Sequence, residues 1–174
     1  MDLSLHNTAI SRVNGPGLRF VIWTQGCSLH CRDCFNQPTH NPDNGRLISA
    51  KKLASQINSA KGIDGVTLTG GEPLDQAIQL FDLVQSVRTE LTWILYTGFT
   101  IKEILKNPDM VRMIQAVDLT LSGRFQRGHV HPYVGKKIIK KTNRIDVNSI
   151  MSKRLVEFSL SGSSCTKTGI ISHI

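Results

Sequence analysis

Length, composition and charge limit what this chain can be. Its 174 residues suit one domain, 40% of them are hydrophobic, and the net charge is +8 with a pI near 9.6. No apolar run approaches the ~18–20 residues of a membrane span, and Met1 to Arg12 lacks the apolar segment of a signal peptide. We therefore expect a soluble, unexported, cytoplasmic protein with no membrane partner.

Strands and helices are predicted to alternate as far as about residue 122. Short runs rich in β-forming residues predict strands at 18–24, 65–69, 92–96 and 117–121. Apolar stripes predict one helix over 50–60, capped by Ser49, and another from Asp75 to about Glu90. Thr100 and Glu103 form a candidate capping box for a short helix.

This alternation indicates parallel βα units in a chain too short for a closed barrel. A complete (β/α)8 barrel takes ~250 residues. The expected fold class is therefore α/β: a partial (β/α) barrel, open at one side, with a parallel sheet and helices outside. We predict a single domain over 1–174, with its core at about 14–125 and a C-terminal extension at about 126–174. That extension begins with a loop over 124–137 and is expected to contain two late strands, at 153–160 and 168–173.

Basic residues are dense only between positions 136 and 141. Four lysines stand there: Lys136, Lys137, Lys140 and Lys141. A solvated strand or loop edge is the simplest interpretation. Docking of a larger acidic protein or, less expected, a nucleic acid stays open.

Three of the four cysteines follow the first predicted strand in the spacing C-x3-C-x2-C. They are Cys27, Cys31 and Cys34. Clustered thiols in an unexported chain favour metal binding over disulfides. Three thiolates leave one iron of a cubane cluster open, whereas a structural zinc ion takes four ligands, which His30 or His40 would complete. The spacing alone leaves both readings open.

A second motif, Thr69-Gly70-Gly71-Glu72-Pro73, follows the second predicted strand. Paired glycines let a ligand approach the backbone closely, and Glu72 adds a carboxylate suited to a ligand ammonium. Both motifs fall at the carboxyl edge of the predicted sheet, where α/β proteins bind ligands.

With these two motifs the chain resembles the radical S-adenosylmethionine (SAM) superfamily. It is most similar to activating enzymes of glycyl radical enzymes, above all the anaerobic (class III) ribonucleotide reductase-activating proteins. The similarity extends from about Asn14 to Phe125. It is carried by the cysteine and GGE motifs and by Val13–Arg19, Cys34–Asn36, Tyr96–Phe99 and Leu121–Phe125.

The resemblance implies one [4Fe-4S] cluster on Cys27, Cys31 and Cys34, with SAM bound at the fourth iron. It implies that Gly70, Gly71 and Glu72 hold the methionine ammonium. Contacts to the adenosyl part are expected from Asp33, Cys34 and Phe35, and further SAM contacts from Asn36, Thr97 and Gly98. Asn14 and Arg19 are expected to shape the substrate opening.

The function implied is reductive cleavage of SAM to a 5′-deoxyadenosyl radical, which abstracts hydrogen from a glycine of a large glycyl radical enzyme. An external one-electron reductant such as flavodoxin is expected. One alternative is a radical SAM enzyme that modifies a small molecule or peptide, such as a deazapurine synthase. A second is a non-catalytic zinc or nucleic-acid-binding module.

Several other residues receive simpler interpretations. Cys165 is expected to be a spectator thiol, and His129 and His131 surface residues. Trp23 and Trp93 are expected in the core. Arg124 is either a surface arginine or a contact to SAM or substrate.

Overall fold

The computed structural model describes residues 1–127, 135–151, 156–161 and 164–169, with side chains up to residue 150. The described chain contains a seven-stranded sheet. Its strands are β1 (Asp2–Ser11), β2 (Arg19–Thr24), β3 (Arg46–Ser49), β4 (Gly65–Gly70), β5 (Thr92–Thr97), β6 (Leu119–Ser122) and β7 (Lys137–Lys140). Their order across the sheet is β3-β1-β2-β4-β5-β6-β7, so the sheet is open, with β3 and β7 at its edges.

The centre of the sheet confirms the predicted alternation. β2, β4, β5 and β6 are parallel neighbours, and they correspond to the four predicted strands. Thr24 lies opposite Gly70 and Thr97 lies opposite Ser122, so the four strands end at a common edge. The segments that follow β2, β4, β5 and β6 therefore meet at that edge.

Three antiparallel strands flank this parallel centre. β1 pairs with β2 on one side and with β3 on the other, and the prediction began the sheet at residue 18 and missed both. Leu3 and Leu5 are buried at alternate positions, which is the period expected of a strand with one covered face. β7 pairs with β6 and confirms a strand edge in the basic segment; lysines suit such an edge because they discourage further pairing.

The helices are α1 (Ala50–Ser59), α2 (Ala77–Ser86), α3 (Ile101–Ile104), α4 (Pro108–Ala116) and α5 (Asn148–Met151). Ser49 caps α1 as predicted, since its Oγ accepts from the N–H of Lys52. The capping box at the start of α3 is also confirmed. The helix expected from Asp75 instead begins at Ala77, after a 3-10 turn at Pro73–Gln76 that is capped by Glu72. Asp75 lies inside that turn, where its carboxylate accepts hydrogen bonds from Ser28.

Two apolar clusters cover the two faces of the sheet. The larger one contains Trp93 and Leu95 of β5 and joins that face to α1, α2 and α4. The smaller one contains Ile94, which points to the opposite face, and residues 145 and 150 of the C-terminal part. The prediction of Trp93 in the core is confirmed, whereas Trp23 is only half-buried.

The C-terminal part adds an antiparallel pair, β8 (Val156–Ser161) and β9 (Ser164–Gly169). Two late strands were predicted, and the second lies earlier in the chain than expected. The side chain of Cys165, both histidines at 129 and 131, and residues 170–173 lie outside what the structure describes. No helix within the described ranges is long and apolar enough to cross a membrane.

Candidate functional site

The cysteine loop (residues 25–41) starts at the carboxyl end of β2 and is closed at its base by Gln25. This side chain is buried, and its Nε2 donates to the carbonyls of Pro38 at 3.0 Å and Asn41 at 2.7 Å. Backbone hydrogen bonds also join residues 26–27 to residues 39–40. The two ends of the loop are therefore held together before any ligand binds.

Two left-handed residues turn the chain between the cysteines. His30 has a φ of 42° and Asp33 a φ of 58°, a region that non-glycine residues seldom adopt. These turns bring Cys27, Cys31 and Cys34 to line one cleft, with all three half-buried.

Asp75 anchors the first part of the cysteine loop to the turn before α2. Its carboxylate accepts from the backbone N–H and the hydroxyl of Ser28, both at 2.7 Å. Ser28 follows Cys27 directly, so this bidentate contact sets the position of the first cysteine. The helix cap predicted for Asp75 is thus replaced by a long-range contact.

The turn after β4 packs directly against the start of the cysteine loop. Gly71 N–H donates to the carbonyl of Thr24 at 2.9 Å, and Glu72 N–H donates to that of Gly26 at 2.8 Å. A Cβ on Gly70 or Gly71 would collide with this backbone, and Gly70 has a φ of +112°. The paired glycines are therefore required by the approach of two protein segments, and the close approach of a ligand stays a prediction.

Glu72 is fully buried, and its carboxylate is used by the protein itself. One oxygen accepts from Leu74 N–H at 2.8 Å and from the Thr97 hydroxyl at 2.7 Å, and the other accepts from Gly98 N–H at 2.7 Å. Burial raises the pKa of Glu72 to about 7, although these hydrogen bonds oppose the shift. The predicted contact of this side chain with a ligand ammonium stays a prediction.

The cysteine loop and the ends of β4, β5 and β6 enclose a cleft of about 860 Å³, counted out to its open mouth. It contains nearly all the predicted contacts: Cys27, Cys31, Cys34, Phe35, Asn36, Gly70, Gly71, Glu72, Thr97 and Gly98. Asn36 donates to the carbonyl of Gly70 at 2.6 Å and so joins the two motifs.

Two groups of predicted residues lie elsewhere. Asp33 does not line the cleft, and its carboxylate pairs with Arg127 at 3.1 Å. Arg19 is 1% exposed and lies at the amino end of β2, opposite Gly65, so it is remote from the cysteines. Asn14 also lies toward that end, where its carbonyl accepts from Thr67. Neither Arg19 nor Asn14 lines the cleft.

The cleft is also lined by residues that were not predicted to contact the cluster or SAM: Leu29, His40, Thr69, Tyr96, Phe125, Gln126 and Lys136. Of these, His40 was considered only as a fourth ligand of a zinc ion. Phe125 packs against Phe35 with ring centroids 5.6 Å apart, so the mouth of the cleft has an aromatic wall. The signal for Tyr96 was its position at the end of a predicted strand, and the signal for Phe125 was its position just after one. Lys136 had no such signal, because the basic segment indicated solvent exposure.

Arg124 also lines the cleft, but its guanidinium is held by protein groups. Nη2 pairs with Oε1 of Glu103 at 2.6 Å, and Nη1 donates to the carbonyl of Gly98. Hydrogen bonds from Thr100 and this arginine lower the pKa of Glu103 to about 2, so the carboxylate is ionised at neutral pH.

The donor set suits a cluster better than a single ion. Across the described side chains, no group of three His, Cys, Asp or Glu is arranged to hold one metal ion. The three thiols line an open cleft instead, which suits a cubane of several irons. Burial raises the pKa of Cys27 and Cys34, so metal binding has to displace their protons.

Comparison with known proteins agrees with this geometry. The family model of the 4Fe-4S single cluster domain matches residues 13–144. The anaerobic ribonucleoside-triphosphate reductase-activating protein of Enterobacteria phage T4 is 34% identical over 124 residues, which cover 66% of this chain and 76% of the relative. The chain belongs to the radical SAM activating-enzyme family. Its cofactors are accordingly a [4Fe-4S] cluster and SAM.

Other relatives of this radical SAM protein share the activating role in their names. The pyruvate formate-lyase-activating enzyme of Clostridium pasteurianum is 34% identical, and the matched region covers 67% of this chain but 55% of that longer protein. The anaerobic ribonucleoside-triphosphate reductase-activating protein of Escherichia coli K12 is 27% identical over 65% of this chain and 78% of its own. Among solved structures, QueE from Escherichia coli matches 57% of this chain and 54% of that chain, with a TM-score of 0.46 and 18% identity.

Proposed function

We propose that this chain activates a large glycyl radical enzyme of the anaerobic ribonucleotide reductase type. One observation carries the proposal: Cys27, Cys31 and Cys34 share a cleft with the Gly70–Glu72 turn in a chain 34% identical to such an activating protein. When bound, the cluster and SAM supply reductive cleavage of the sulfonium C5′–S bond, and the resulting radical removes hydrogen from a glycine.

The residues of the cleft bind and orient the cofactors in this proposal. Cys27, Cys31 and Cys34 would hold three irons and leave the fourth for SAM. The Gly70–Glu72 turn would contact the amino-acid part of SAM, and Phe35 the adenosyl part. Asn36, Thr97 and Gly98 complete the wall. A backbone contact from Asp33 stays a prediction.

The mouth of the cleft is where a protein substrate is expected. Phe35 is 50% exposed and leaves apolar surface at this mouth. We propose that the sheet is a partial barrel, open at one side, and that the partner inserts a peptide segment there. The net charge of +8 favours docking of an acidic partner surface. The electron is proposed to come from an external carrier such as flavodoxin.

The test is formation of a radical on the partner. Anaerobically reconstituted protein is mixed with SAM, dithionite and either anaerobic ribonucleotide reductase or pyruvate formate-lyase, and the glycyl radical is read by electron paramagnetic resonance. We expect a radical on one partner and none with the Cys31→Ala variant, which lacks a cluster ligand. Cys165→Ala is the matched control and is expected to keep the iron content and the radical yield.

Two results would count against the proposal. SAM cleavage without a radical on either partner favours a small-molecule or peptide substrate. Tight zinc binding with no iron and no SAM cleavage favours a non-catalytic module.

A further inference from the structure

Lys136 differs from the other lysines of the basic segment because it faces the cleft. It is half-buried and lines the same cavity as Cys27, Cys31 and Cys34, whereas Lys137 is exposed. It precedes β7 directly, so the pairing of β7 with β6 fixes its backbone beside the ends of β5 and β6.

The ammonium of Lys136 is held by two backbone carbonyls. Nζ donates to Thr97 O at 3.1 Å and to Gly123 O, which lie at the carboxyl ends of β5 and β6. An ammonium has three N–H donors, so one has no partner among the residues that the structure describes. None of the ion pairs within the described ranges involves Lys136.

Among the described residues, no carboxylate of the cleft pairs directly with this lysine. Arg124 is paired with Glu103, and the carboxylate of Glu72 accepts from Leu74, Thr97 and Gly98 and makes no ion pair with Lys136. Burial lowers the pKa of Lys136, while the nearby Glu72 and the cysteine thiols oppose that shift. A partly desolvated cation that makes no direct ion pair with a described residue is stabilised when an anion reaches it. The cleft therefore favours a negatively charged ligand beside the ammonium of Lys136.

We propose that Lys136 is the anion-binding residue of the cleft and that its remaining N–H contacts a negatively charged group of the bound cofactors. Two sources share this chemistry: the carboxylate of the SAM methionine, and the cluster with its three thiolates. The inference rests on the cofactors and not on the glycyl radical partner, so a failed radical assay leaves it standing.

The test measures binding and potential in place of turnover. Lys136→Gln keeps amide donors for the two carbonyls but removes the charge. In reconstituted protein we measure the Kd for SAM, the Kd for decarboxylated SAM, and the midpoint potential of the cluster without SAM. If the carboxylate is the anion, the variant binds SAM at least about tenfold more weakly, the effect of one charge-assisted hydrogen bond, and binds decarboxylated SAM as the wild type does. If the cluster is the anion, its midpoint potential falls.

Matched variants separate charge from structure. Lys136→Arg is expected to keep the wild-type value of the quantity that changes in Lys136→Gln, whether that is the Kd for SAM or the midpoint potential. The exposed Lys137→Met is expected to change neither Kd nor the midpoint potential. Lys136→Met serves as the second neutral variant if Lys136→Gln fails to take up iron. Unchanged SAM affinity and potential in the neutral variant would overturn the proposal, and so would an Arg variant as defective as the neutral one.

Discussion

Glu72 belongs to a predicted ligand-binding motif, but its carboxylate makes hydrogen bonds within the protein. Its carboxylate joins the turn after β4 to Thr97 and Gly98 at the end of β5. The hydrogen bonds favour the ionised form, but burial disfavours it more strongly and raises the pKa to about 7. The residue therefore makes a pH-dependent contribution to folding.

The sign of that contribution follows from the raised pKa. Between 4.5 and about 7 the folded protein binds the Glu72 proton more tightly than the unfolded chain does, so stability falls as pH rises through this window. We predict that, over this pH range, the free energy of unfolding of the wild type falls by up to ~3 kcal/mol relative to that of Glu72→Gln. Urea unfolding of the metal-free proteins measures the difference.

The exposed Glu90→Gln is the control for this experiment, since it removes a carboxylate that is not buried. A stability difference between wild type and Glu72→Gln that stays flat from pH 4.5 to pH 8 would contradict the burial argument.

At the scale of elements, the cysteine loop is positioned by its neighbours as well as by its own hydrogen bonds. Its base contacts β4 through the glycine turn, Asn36 reaches Gly70, and Asp75 holds Ser28 from the turn before α2. Such contacts fix the thiols in place before the cluster binds, which lowers the ordering cost of binding.

Removal of the Asp75 anchor should loosen the cluster. Asp75→Ala deletes two hydrogen bonds to Ser28, beside Cys27, and leaves all three ligands in place. We expect cluster loss to a chelator to accelerate about fivefold, the effect of ~1 kcal/mol. The decay of the cluster absorbance under anaerobic conditions measures the rate.

Asp109→Ala removes an exposed carboxylate at the start of α4 and is the matched control. Equal rates of cluster loss in Asp75→Ala and the wild type would show that the loop does not need this anchor.

At the scale of the whole molecule, the two ends of the parallel strands have different structural roles. The carboxyl ends build the cleft, whereas the amino ends are held by the buried guanidinium of Arg19. Its nitrogens donate to Thr67, Thr92, Val66 and Pro16, and burial lowers its pKa to about 10, so it is charged at neutral pH. Arg19 thus connects β2, β4 and β5 at the end remote from the cysteines.

Arg19→Lys keeps the charge but cannot reach all these acceptors, because an ammonium lacks the guanidinium fork. We predict a loss of ~2–4 kcal/mol in the free energy of unfolding, measured by urea denaturation. The exposed Arg46→Lys is the control and should remain near the wild type. An unfolding midpoint of Arg19→Lys equal to that of the control would contradict the structural role.

Much of the fold was predictable because its signals are local. The runs that became β2, β4, β5 and β6, the cap at Ser49 and the capping box at Thr100 depend on residues close in sequence. β1 and β3 were missed because their pairing is decided by partners elsewhere in the chain. The boundary of α2 was missed because Glu72 captures the N–H of Leu74 while its other contacts lie 25 residues and more away.

By itself the sequence determined which residues are proposed to bind the cofactors: Cys27, Cys31 and Cys34 by their spacing, and Gly70–Glu72 by a motif placed one strand later. Spacing along the chain is enough for this, since ligands on one loop need no distant partner to come together. Only the tertiary structure decided the rest. The carboxylate of Glu72 accepts hydrogen bonds from Thr97 and Gly98 at the end of β5, and the side chain of Lys136 faces the cleft. Those outcomes depend on strand order and on burial, and both arise from contacts between residues that are far apart in sequence.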